Sequence, residues 1–87
     1  MSDVLRILGQ GVAGSSKEWT NKAGRHLKAE LKRVGVPYAE LARRLTEMGI
    51  PETDTSVAAK INRGAFPAWF LFAVMKAVGL HTLRVED

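Results

Sequence analysis

Residues 37–64 read PYAELARRLTEMGIPETDTSVAAKINRG, and this stretch decides the fold. Tyr38, Leu41, Ala42 and Leu45 recur at i, i+3, i+4 and i+7, which is one face of an α-helix. Pro37 suits the first helical position, because the N–H it lacks would have no partner there. Gly49 closes this helix, expected over 37–48. Ile50, Pro51 and Glu52 form a connection, after which Thr53 or Asp54 supplies an N-cap oxygen. A further helix is expected over 53–63, with Val57 and Ile61 inward and Gly64 as its stop. Two helices joined in this way have the helix-turn-helix pattern.

Working outward, a helix is expected upstream from Ser16 to Val34. Ser16 serves as its cap, and Trp19, Ala23, Leu27, Leu31 and Val34 form its apolar face. Arg25, Lys28 and Lys32 make a basic stripe roughly opposite, read as a solvated face rather than a flank for a nucleic-acid backbone. Residues 1–16, with Gly9, Gly11, Gly14, Ser15 and Ser16, have the composition of a flexible arm. Downstream, a helix over 67–78 starts at Pro67 and stops at Gly79, and only Lys76 within it is polar. The tail His81–Val85 is short enough for one extended strand. The expectation is an all-α domain over 17–87 behind an N-terminal arm.

The formal net charge is +4, and the excess lies between Lys17 and Arg63, since the flanking segments are balanced. A localised basic excess suits a polyanionic partner. Cysteine is absent, which excludes disulfides and thiolate metal sites and leaves oligomerisation as the stabilising device for so small a domain. The N-terminus does not read as a signal peptide, because Arg6 interrupts its short apolar stretch. The expectation is a cytoplasmic protein, nucleoid-associated when bound. No nucleophile–base pair, phosphate-cradling glycine loop or metal-ligand cluster stands out, so neither catalysis nor a cofactor is expected.

In a helix-turn-helix unit the second helix enters the major groove of duplex DNA. Thr55, Ser56 and Ala59 are short enough to let the backbone approach base edges, and hydroxyls pair with any base while a methyl packs on thymine. Lys60 suits a guanine or phosphate contact, which makes Thr55, Ser56, Ala59 and Lys60 the base-reading set. Arg63, at the helix end, and Arg43 and Arg44, off the core stripe of the first helix, suit phosphates.

Leu27–Arg33, Gly35-Val36 and Glu40–Leu45 resemble the start of the Cro- and lambda-repressor-like DNA-binding domain. Ile61–Gly64 with Pro67 resembles the end of its recognition helix, and Lys76–Leu80 its closing helix. More narrowly, Ala29–Leu45, Glu52-Thr53, Lys60–Gly64, Phe66 and Leu83-Arg84 resemble a small bacterial family assigned to a domain of unknown function. The first resemblance implies a bundle of four to five helices that binds double-stranded DNA, commonly as a homodimer. Where such repressors carry a polar cap and a phosphate-reaching glutamine, this chain has Pro37 and Tyr38. Tyr38 either donates its hydroxyl to phosphate or packs in the core. The connection before the helix over 53–63 is also longer than in those repressors.

Trp69, Phe70 and Phe72 stand where that family has polar surface, and they are assigned to a homodimer interface. The alternative is that arm 1–16 folds back over them. The leading expectation is a sequence-preferring DNA-binding regulator. The others are an antitoxin-like or adaptor module with a protein partner on the helix over 67–78 or on the arm, and a nucleoid-type binder without sequence preference.

Overall fold

The computed structural model describes the backbone of residues 2–83 and the side chains of residues 16–83. Its helices are α1 (Ser2–Val34), α2 (Tyr38–Glu47), α3 (Asp54–Arg63) and α4 (Ala68–Val78), with no strand among the described residues. The fold is all-α, as expected. Residues 80–83 form no strand, and the rest of the expected tail strand lies outside the described residues. No described helix is long and apolar enough to cross a membrane.

The helix limits follow local signals. Pro37 and Pro67 stand in extended backbone just before α2 and α4. Thr53 caps α3: its side chain accepts from the Ser56 N–H at 3.1 Å, and the Ser56 hydroxyl accepts from the Thr53 N–H at 2.8 Å. This reciprocal pair satisfies two donors that a helix start otherwise leaves unpaired. At the N-terminus the helix starts earlier than at Ser16. Residues 2–15 continue α1, so Ser16 lies inside the helix and caps nothing. Gly9, Gly11 and Gly14 weaken a helix there without removing any backbone hydrogen bond.

The core consists of Leu27, Leu31, Val36, Leu41, Ala42, Leu45, Val57, Ile61, Phe70 and Val74. α3 packs between α1 and α2, and α4 packs on α2. α1 is rotated from the expected facing. Its contact line runs through Gly24, Leu27 and Leu31, while Trp19 is 56% exposed. Gly24 and Gly64 set this rotation, because the α1 backbone and the end of α3 approach too closely for side chains at either position. A Cβ on Gly24 would lie 2.6 Å from the Ile61 carbonyl oxygen, and one on Gly64 only 1.8 Å from that of Thr20. Gly64 also has φ +71°, the left-handed conformation that ends α3.

Candidate nucleic-acid interface

The capping box fixes where α3 begins and therefore which side chains point out. Val57 and Ile61 face the core, and Thr55, Ala59, Asn62 and Arg63 are exposed on the opposite side. Thr55, Ala59 and Asn62 are four and three residues apart, so they form one continuous outer ridge. Arg63 makes no hydrogen bond or ion pair among the described residues and ends that face. Asn62 is not among the readers expected from the sequence. Its signal is nonetheless there, since it stands seven residues after Thr55 on the same face.

Ser56 and Lys60 belong to a different flank. The Ser56 hydroxyl donates to Glu52 Oε1 at 2.5 Å while serving the cap. The Lys60 ammonium donates to Glu52 Oε2 and sits 5.3 Å from the centre of the Phe70 ring. The Glu52 side chain is only 2% exposed. Burial would raise its carboxyl pKa, but the hydrogen bonds from Lys60 and Ser56, with the ammonium charge, outweigh this and hold it below the ordinary value. Two of the four expected base-readers, Ser56 and Lys60, are therefore tied to a buried carboxylate that joins the 48–53 connection to α3.

The α2 arginines are engaged as well. Arg43 donates to Glu40 at 2.6 and 2.9 Å and to Glu47 at 2.8 Å. Arg44 donates to Glu40 at 2.8 Å and to the Ala77 carbonyl at 3.1 Å, near the C-terminus of α4. Hydrogen bonds from both guanidinium groups lower the Glu40 carboxyl to about 2. Tyr38 is partly buried against the core, and desolvation raises its hydroxyl pKa. It also lines an open groove of about 440 Å³ with Lys28, Leu31, Lys32, Gly35, Val36 and Pro37.

The family model described as Domain of unknown function (DUF6471) matches residues 19–83. The chain belongs to that family. No curated protein matches the chain, and no solved structure does. The matched DUF6471 segment contains α2, α3 and α4 whole and α1 from Trp19 onward. Both partners of the Gly24–Gly64 crossing therefore lie inside the family domain.

Within the DUF6471 segment α4 separates the three aromatics that the sequence groups as one interface. Phe70 is fully buried, 5.6 Å from the Phe66 ring and edge-on to Trp69 at 6.0 Å. It cannot be a contact between copies, because Ala42, Leu45, Val57 and Val74 share its core. Trp69 and Phe72 are 56% and 70% exposed. They stand three residues apart on the outer side of α4, followed by exposed Lys76. A second apolar recess of about 130 Å³ lies between Trp19, Ala23 and Leu27 of α1 and Phe66, Leu71 and Leu83. Among the described residues no group of three His, Asp or Glu is arranged to hold a metal ion.

Two depressed carboxylates predict an acid response. Each contributes stability that is fully present above its unfolded value near 4.5 and is lost as pH falls through its folded value. For Glu40 that window runs from 4.5 down to about 2. Thermal midpoints measured from pH 6 to pH 2 are expected to fall below pH 4.5. Glu52→Gln should flatten part of that fall, and an unchanged pH profile in this variant would show that the Glu52 cluster contributes nothing.

Proposed function

We propose that this DUF6471 protein binds double-stranded DNA with a sequence preference, as a homodimer, and acts in transcriptional regulation with α3 in the major groove. The observation that carries the reading is the outer face of α3. Thr55, Ala59 and Asn62 are exposed, short and aligned, with Arg63, unpaired among the described residues, beside them. A threonine hydroxyl can donate or accept, an alanine methyl packs on the thymine methyl, and an asparagine amide pairs with two adenine atoms at once. Arg63 suits phosphate. The Cro- and lambda-repressor-like pattern of the sequence and the packing of α3 on α2 support the same reading. The base-reading set is accordingly Thr55, Ala59 and Asn62, since Ser56 and Lys60 serve Glu52.

The homodimer part rests on Trp69 and Phe72, whose exposure is unusual for aromatics and which carry large apolar area at low entropic cost. Two copies joined through α4 present two copies of α3, as a palindromic site requires. A second reading draws on the same aromatics. In a protein-interaction module, antitoxin-like or an adaptor, the α4 face would meet another chain, and the internal engagement of Arg43, Arg44 and Lys60 favours it.

The test is fluorescence-anisotropy binding to a randomised duplex pool, followed by sequencing of the bound fraction. An enriched site is expected. Asn62→Ala should relax the preference at one base pair, by about 1–3 kcal/mol. Arg63→Ala should weaken all sequences about equally. Binding without enrichment would leave the nucleoid-type alternative, and no binding at low salt would remove the DNA reading and favour the interaction module.

A further inference from the structure

We propose that the exposed ridge of α1 formed by Lys17, Arg25, Lys28 and Lys32 is the surface on which the sugar–phosphate backbone of duplex DNA lies. This rests on the DNA reading above and assigns its phosphate contacts to α1 instead of to the arginines of α2.

The ridge follows from how α1 is rotated. An α-helix turns by about 100° per residue. With Gly24, Leu27 and Leu31 against the core, Lys17, Asn21, Arg25, Lys28 and Lys32 fall together on one flank at steps of four, four, three and four residues. All five are exposed. At about 1.5 Å per residue the ridge is roughly 22 Å long, enough to meet several phosphates of one strand. On the opposite flank of α1, Trp19, Lys22, Ala23 and His26 line the apolar recess beside α4, with the Lys22 ammonium 5.0 Å from the centre of the Trp19 ring.

Charge complementarity decides the occupant. The cations of α2 and α3 are mostly committed: Arg43 to Glu40 and Glu47, Arg44 to Glu40 and the end of α4, and Lys60 to buried Glu52. On α1 itself Arg33 is bound to Glu30 at 2.7 Å. A phosphate would have to displace a carboxylate from each of these. Lys17, Arg25, Lys28 and Lys32 donate to no carboxylate among the described residues, and Glu18 stands only at the far end of their ridge. Binding of a polyanion there releases condensed counterions without breaking an ion pair among the described residues. Lys28 and Lys32 also border the groove of about 440 Å³ in front of Tyr38, which gives a strand room to sit between α1 and α2.

Anisotropy titrations of the full chain on a random-sequence duplex between 50 and 200 mM salt test the assignment. The readout is the slope of log K against log salt, which changes by about 0.9 for each phosphate that the protein ceases to neutralise. Removing the ridge charge in R25Q/K28Q/K32Q is expected to reduce the slope by about 2.7 and leave the melting curve unchanged. The charge-keeping R25K/K28R/K32R should retain the wild-type slope, and so should R43Q. A slope in R25Q/K28Q/K32Q within about 1 of wild type, or a loss of about 0.9 in R43Q alone, overturns the proposal while the DNA reading stands. Absence of wild-type binding at every salt concentration overturns both.

Discussion

Gly64→Ala is expected to destabilise the protein by on the order of 4 kcal/mol. Two costs combine. An alanine at φ +71° carries left-handed strain of about 1–2 kcal/mol. Its Cβ would also stand 1.8 Å from the Thr20 carbonyl oxygen and 2.7 Å from the carbonyl carbon. Those atoms belong to the backbone of a continuous helix, so relief requires α1 to lift away from α3 and expose Leu27 and Leu31. A chain of this length has a total stability of roughly 4–13 kcal/mol, and the loss takes a large share of it. Gly49→Ala is the control. It stands at φ +90° with nothing within 4 Å of a new Cβ, so only strain of about 1–2 kcal/mol applies. Gly24→Ala should fall between them. In an open helix this change stabilises by about 1 kcal/mol, but here the new Cβ meets the Ile61 carbonyl oxygen at 2.6 Å. Urea midpoints followed by circular dichroism would rank the three. Equal losses for Gly64→Ala and Gly49→Ala would mean that α1 and α3 do not cross at Gly64.

Phe70→Ala and Phe72→Ala should have opposite consequences although the residues are two apart. Phe70 is fully buried, faces Phe66 and Trp69, and carries the Lys60 ammonium over its ring. Its truncation is expected to cost about 3–5 kcal/mol through reduced burial and the cavity left behind. Phe72 is 70% exposed, and its truncation should change chain stability by no more than about 0.5 kcal/mol. If the outer face of α4 joins two copies, Trp69→Ala and Phe72→Ala should instead lower the sedimentation mass toward one chain at micromolar concentration. Thermal melts and sedimentation on the same samples separate the two effects. A normal melt with Phe70→Ala would return Phe70 to the surface and undo the packing of α4.

The acidic partners of the cations decide where positive charge is available, and they were legible only in part. Glu40 with Arg43 and Arg44, and Arg43 with Glu47, are three or four residues apart on one helix, so periodicity alone places them side by side. Arg44 with the Ala77 carbonyl and Lys60 with Glu52 are not of that kind. The first joins residues far apart in the chain, and the second crosses from the connection into α3.

The limits of α2, α3 and α4, almost to the residue, and most of the core were legible in the chain's local pattern. Their signals are local. Prolines before α2 and α4, a threonine before α3 and glycines after the helices act within one turn, and Leu27, Leu31, Leu41, Ala42, Leu45, Val57 and Ile61 repeat at the helical period. Tertiary structure alone decided the rotation of α1, where two glycines with no apolar signal set the contact line and left Trp19 outside. It alone chose Phe70 over Trp69 and Phe72 for the core, because a helix apolar on every side has no preferred face until a neighbour packs on it. It also withdrew Ser56 and Lys60 from the outer face of α3 and left Asn62 there. The physical reason is common to all three. Periodicity and capping are properties of a single segment, whereas burial and ion pairing are properties of whichever segments meet.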